Sequence, residues 1–194
     1  MDVRYTQAMD RPEILLVSHA VVTNVLTMRH AMDAVTQVMT AHGLSDVIAP
    51  NLLHADTPKG EFHIKTGGMM TGATTGIFGL KANGGFFQNH ALGLPNILGV
   101  IVLADAETGC TLAVLDSTEI SRVRTGAATA VAARQLARPD SRTVAVVGTG
   151  VQAETQIEAL CQVLPIERVR LVGRDIHRTK HRASVIETQV GVAV

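Results

Sequence analysis

The chain has 194 residues, 46% of them hydrophobic and 3% aromatic, with a formal net charge of +0 and a pI near 7.1. That length accommodates one large or two small domains with a buried core. Neutral charge, scarce aromatics and the lack of a basic cluster exclude the phosphate footprint and stacking platform of a nucleic-acid binder. No apolar run approaches the length needed to span a bilayer, and the opening MDVRYTQAMDRPE lacks an apolar signal core, so a cytoplasmic protein is expected. The eight histidines are scattered, and Cys110 and Cys161 are lone thiols. No metal site is expected, and both cysteines read as structural.

Residues 1–12 read as a loose arm, followed by an apolar strand over 14–17 and a polar-punctuated helix over 19–26. A stronger helix starts from Thr27 as N-cap: Met28, Ala31, Met32, Val35, Val38, Met39 and His42 fall on one face, and Gly43 supplies the C-cap. Between 46 and 75 the pattern is interrupted by Pro58, Gly60, Gly67, Gly68 and Gly72, which predicts strands broken by bends and no helix. A strand over 77–82, a turn at Asn83-Gly84-Gly85 and an apolar strand over 97–103 follow. Residues 104–109 (ADAETG) connect a hairpin whose return strand covers 111–115.

Asp116 and Glu119 have the spacing of a capping box. The spacing predicts a helix to about Val123, a bend at Arg124-Thr125-Gly126, and an alanine-rich helix to Ala137 whose small residues suit close packing. Residues 138–141 then form a short linker, which divides the chain into domains over 1–138 and 139–194.

The stretch RTVAVVGTGVQA (142–153) carries the clearest chemistry. Val144, Val146 and Val147 suit a buried strand, Gly148 permits a tight turn, Gly150 lets backbone amides approach a pyrophosphate at a helix N-terminus, and Ala153 takes the close-packing position. Ile157, Leu160, Cys161 and Leu164 continue with helical spacing, and 169–172 reads as a second buried strand. The sugar-reading carboxylate of such units usually lies about 20 residues past the glycines, where this chain has Gly173-Arg174-Asp175. Arg174 at that point suits a 2′-phosphate and tilts the reading from NAD towards NADP; its alternative is a solvated helix-start residue. A helix over 176–188 and the start of a third strand over 189–194 complete the pattern.

Five stretches, GLKANGG (79–85), GLPN (93–96), LADAETG (103–109), SRVRTGAATAVAARQLARPD (121–140) and VVGTGVQA (146–153), resemble the ornithine cyclodeaminase and μ-crystallin family in order and spacing, over about residues 14–183. The resemblance implies an α/β protein: an N-terminal α+β substrate-binding and dimerisation domain, then a Rossmann (βαβ) dinucleotide-binding domain, here incomplete. It also implies a homodimer and NAD- or NADP-dependent chemistry at a carbon bearing an amino or imino group.

By resemblance, Lys81 stands at the family's active-site lysine and Arg124 at the arginine that holds the substrate carboxylate beside the cofactor. Interconverting an amino acid and its imino acid needs a cation on the carboxylate, a proton carrier at nitrogen and a nicotinamide over the α-carbon. On spacing alone, Lys81 reads as a snorkelling lysine and Arg124 as a helix-surface charge. Lys59 aligns near a second carboxylate-binding arginine, which it replaces with one-point recognition. Asn96, Thr125, Val151 and Gln152 match positions near the cofactor, with Gly148 and Gly150. Met69-Met70-Thr71 stands where the family has a methionine-proline pair.

The resemblance implies an NAD(P)-dependent oxidoreductase acting on a small α-amino or α-imino acid. The alternatives are ornithine cyclodeamination, in which bound NAD is regenerated and ammonia leaves, and a non-enzymatic, μ-crystallin-like ligand-binding scaffold. The family supplies a further catalytic aspartate from βα units beyond the last residue of this chain. With the apolar VGVAV ending, that leads to the expectation of a fragment, with weak cofactor binding and negligible turnover on its own.

Overall fold

A computed structural model describes residues 13–70 and 75–194; the expected arm over 1–12 and Thr71 and Gly72 lie outside the described residues. By contact the chain forms two compact units, the first holding the described residues up to Ser18 and Val47–Asp116, the second His19–Asp46 and Ser117–Val194. The boundary expected at 138/139 falls inside the second unit.

The first unit is one six-stranded sheet. Its strands are β1 (Leu15–Val17), β2 (Val47–Thr57), β3 (Gly60–Met70), β4 (Gly76–Gly85), β5 (Ile97–Asp105) and β6 (Thr111–Asp116), in the order β1-β6-β5-β4-β3-β2. All neighbours are antiparallel except β1 on β6. Over 46–75 the described residues form strands without helix as expected, but Gly67 and Gly68, expected at bends, lie within the unbroken β3; the irregularity falls instead between Ile48 and Asn51, around Pro50, whose ring nitrogen has no hydrogen to donate to a ladder. The expected turn at Asn83-Gly84-Gly85 is absent. Those residues continue β4, because Asn83, Gly84 and Gly85 pair with β3 on one side and β5 on the other, and two ladders outweigh a local turn preference. The hairpin over 104–109 forms as expected: Asp105 Oδ1 accepts from Glu107 N (3.1 Å), Thr108 N (2.7 Å) and Thr108 Oγ1 (2.7 Å).

The second unit contains α1 (His19–Val25), α2 (Met28–Gly43), α3 (Thr118–Leu136), β7 (Thr143–Val147), α4 (Val151–Cys161), β8 (Arg168–Val172) and α5 (Ile176–Val190). Thr27 caps α2 as expected, its hydroxyl accepting from His30 N at 3.1 Å. The buried part of α2 is its N-terminal half, Met28, Ala31 and Met32, whereas Val38 and Met39 are exposed. Gly43 is the last helical residue rather than the cap, and the left-handed position falls at Ser45, φ 60°.

The largest departure is α3, a single helix through Arg124-Thr125-Gly126, where a bend was expected. Gly126 is there for close approach: a Cβ would meet Thr155 O at 2.7 Å and Thr155 Cγ2 at 2.8 Å. Ser117, rather than Asp116, is the N-cap residue, and Glu119 bonds to Arg122. Buried Ala127, Ala130 and Val131 of α3 pack with Met28, Ala31 and Met32 of α2 and Ala159 of α4. Another face of α4 presents Ile157 to Ile166, Val169 and Ile186. Thus α4 is clamped between α3 and its own parallel β7–β8 pair. Where a third strand was expected over 189–194, α5 runs to Val190 and only Ala193 makes an isolated parallel bridge to Arg168, with Val169 N donating to Ala193 O at 2.7 Å.

Candidate functional site

The β7–α4 turn has the geometry that its glycines predict. Gly148 adopts φ 114°, a left-handed value, and its N–H donates to Val172 O at 2.7 Å, which ties the turn to the end of β8. A Cβ placed at Gly148 or Gly150 would meet no atom of the described residues within 4 Å. Open space therefore faces the N-terminus of α4, where the first N–H groups of a helix have no intrahelical acceptors. Val147, Val151 and Val172, exposed at 86%, 62% and 52%, form an apolar lip at the carboxyl ends of the two strands. In doubly wound sheets a dinucleotide lies at those strand ends. Ala153 is buried, as its close-packing role requires. These features fit a nucleotide pyrophosphate held by Gly148, Gly150, Val151 and Gln152.

The Ser121–Gly126 segment packs against the first turns of α4. Gln152 Nε2 donates to Arg122 O at 3.4 Å, Gln156 Nε2 to Thr125 O at 3.5 Å, and Arg122 Nη1 to Thr155 Oγ1 at 2.8 Å. Thr125 spends its hydroxyl on Ser121 O at 2.6 Å. Of the two arginines in this segment, Arg122 is fully engaged, with Nε and Nη2 on the two oxygens of Glu119 at 2.9 and 2.7 Å. That hydrogen-bonded carboxylate pushes its pKa still higher, against the opposing pull of desolvation. Arg124 is exposed, and its guanidinium has no hydrogen bond or ion pair among the described residues. It is the arginine left available for a ligand.

Past β8, the Asp175 side chain accepts from Arg178 N at 3.0 Å and caps α5. Arg174, exposed, is the first charged side chain after the strand.

The other predicted residues lie in the first unit. Lys81 is half-buried on β4, directly opposite Lys65 of β3 and Ile101 of β5. Lys65 was not singled out from the sequence; the signal for it is the register of β3 on β4. Because side chains alternate, Asn83 and His63, paired one step along, share that face with the two lysines. Lys59 is not beside Lys81. It lies in the β2–β3 turn, six residues from Lys65 along the chain, about 20 Å at the rise of an extended strand. A single small carboxylate cannot bridge that distance, so the two do not form one clamp. Lys59 instead lines an open groove of about 580 Å³ with Phe86, Gln88, Asn89 and Leu92. Asn96 is held through its backbone, its O accepting from Phe86 N at 2.8 Å, while its side-chain Oδ1 is buried without a hydrogen-bond partner among the described residues. A buried acceptor left open in this way fits a ligand-binding amide.

The family model for "Ornithine cyclodeaminase/mu-crystallin family" matches residues 14–194. The chain belongs to that family. It is 33% identical over 158 residues to an alanine dehydrogenase of Archaeoglobus fulgidus, covering 81% of this chain and 48% of the relative. A Thermococcus litoralis Δ1-pyrroline-2-carboxylate reductase, solved with NADH and L-proline, superposes with a TM-score of 0.85 at 27% identity, covering 93% of this chain and 55% of that one. An archaeal alanine dehydrogenase dimer with bound NAD gives a TM-score of 0.85 at 30% identity, with coverages of 93% and 54%. The chain thus spans about half the length of the relatives it matches, and its α/β architecture is that of Rossmann-type family members. Among the described residues, no helix is long and apolar enough to cross a membrane.

Proposed function

We propose that this chain carries the substrate- and dinucleotide-binding parts of an NAD(P)-dependent oxidoreductase that interconverts a small α-imino acid and the corresponding α-amino acid. The observation that carries this reading is the packing of α3 on α4. It holds an uncommitted arginine, Arg124, on the same framework as the glycine turn, while Arg122 supplies the rigid joint. In this reading Arg124 grips the substrate carboxylate, a fork on a two-oxygen anion. Lys81 carries the proton at the substrate nitrogen. The nicotinamide, when bound, supplies or accepts the hydride at the α-carbon. Gly148, Gly150, Val151 and Gln152 hold the pyrophosphate, Asn96 and Thr125 lie near the cofactor, and Arg174 favours a 2′-phosphate.

Support from relatives is of the same kind: an imino-acid reductase solved with NADH and L-proline, and an alanine dehydrogenase solved with NAD. A homodimer is part of the proposal. It is supported by the alanine dehydrogenase dimer and by the edge strand β2, where Leu52 and Leu53 are exposed at 63% and 57%. A cytoplasmic site of action belongs to the same reading.

The deciding assay uses the full-length protein with pyrroline-2-carboxylate and NADPH or NADH, and separately ornithine with catalytic NAD. Cofactor oxidation matched to imino-acid reduction supports the proposal. Ammonia release without net cofactor turnover replaces it with cyclodeamination. Tight ligand binding without turnover in either assay replaces it with a binding scaffold.

A further inference from the structure

The end of the β2–β3 hairpin gathers a second group of chemistry-bearing side chains. His54 pairs directly with His63, and Asp56 with Glu61, across the antiparallel ladder. With alternation along each strand, these four residues share one face of the sheet. The imidazoles are stacked, centroids 4.6 Å apart and planes 8° from parallel. Both Nε2 atoms converge on one carboxylate: His54 Nε2 lies 3.1 Å from Glu61 Oε2, and His63 Nε2 3.0 Å from Glu61 Oε1. Asp56 Oδ1 is 3.4 Å from His54 Nε2. The ligand-type atoms of His54, Glu61 and His63 all lie within 4.8 Å of one another.

We propose that His54, His63 and Glu61 form a binding site for a divalent transition ion of the zinc type, with Asp56 or water completing the coordination. Two imidazoles and a carboxylate, with an open fourth position, make a ligand set that zinc accepts. An ion at about 2.1 Å from tetrahedral ligands needs them about 3.4 Å apart. Small rotations reach that spacing, and His54 is exposed and free to make them. Lys65 and Lys81, one step along the same face, repel a cation, and the two carboxylates, Glu61 and Asp56, offset that charge. No sequence spacing announces such a site, because its ligands are opposed across strands. Its bond partners lie outside the residues assigned to amino-acid and dinucleotide binding.

The test titrates Zn²⁺, and Co²⁺ as a spectroscopic substitute, into untagged, chelator-treated full-length protein at a pH where imidazole is neutral. The expected result is one saturable equivalent per chain and visible Co²⁺ bands of a nitrogen and oxygen site. Affinity should fall at least tenfold in His54→Ala and in His63→Ala, and in Glu61→Gln. His54→Ala removes an exposed side chain, and an unchanged melting temperature separates lost binding from lost folding. Absence of saturable binding overturns the proposal. So does binding that survives His54→Ala and His63→Ala, including binding lost only on substituting His177 and His181, which stand four residues apart on α5, or a Co²⁺ spectrum of thiolate ligation from Cys110 or Cys161.

Discussion

Arg122 Nη1 donates to Thr155 Oγ1 across 2.8 Å and joins α3 to α4. The same guanidinium closes a two-point pair on Glu119, whose side chain is only 13% exposed. Arg122→Met removes both of its hydrogen bonds to that carboxylate and the donor that Thr155 Oγ1 accepts. The expected loss is about 1–3 kcal/mol, towards the lower end because water reaches 28% of the Arg122 side chain. Urea denaturation reads it. A loss below about 0.5 kcal/mol, the scale of an ordinary surface change, would demote the joint to a surface pair.

Gly126→Ala sets two effects against each other. Alanine gains about 1 kcal/mol of helix propensity over glycine, but its Cβ lies 2.7 Å from a backbone oxygen that cannot rotate away, Thr155 O. Overpacking of that kind costs about 1–3 kcal/mol. The packing term wins, so the variant should melt at lower temperature than wild type; a stabilised variant would mean that α3 and α4 separate freely.

The Asp105 carboxyl is held below the usual aspartate range, first by the Thr108 hydroxyl and then by the Thr108 amide, against desolvation, with the Glu107 amide adding to the effect. A depressed folded pKa contributes stability above the unfolded value, near 3.9, and that contribution is lost as pH falls through the folded value. The Asp105 carboxyl resonance should therefore titrate below those of unbonded aspartates. In Asp105→Ala, amide exchange at Glu107 and Thr108 should accelerate while β5 and β6 keep their protection. A titration at the ordinary aspartate value would contradict the loop geometry.

For Arg124→Lys the charge stays and the planar fork is lost. Substrate affinity in the full-length protein should weaken by roughly 1.5–3 kcal/mol, the scale of a charge-assisted hydrogen bond, or about tenfold or more. Because Arg124 makes no hydrogen bond or ion pair among the described residues, melting temperature should hardly move. Unchanged substrate affinity would remove Arg124 from the site and, with it, much of the case for an amino- or imino-acid substrate.

What the sequence by itself determined is the part governed by a few consecutive residues. The β-branched run ending at Gly148 and resuming as helix after Gly150 specifies a βα turn because backbone preferences there are local. Thr27 as a cap and the hairpin connection over 104–109 were legible for the same reason, since the hydrogen bonds that hold them reach only three residues. Tertiary structure decided the rest. Gly126 reads as a helix break until Thr155 is packed against it, and Asn83-Gly84-Gly85 reads as a turn until two neighbouring strands claim its backbone. The register of β3 on β4 set Lys65 opposite Lys81, and the register of β2 on β3 brought His54 to His63. Such relations rest on ladders and packing that close over long stretches of chain, and a one-residue slip would turn every one of those side chains to the other face.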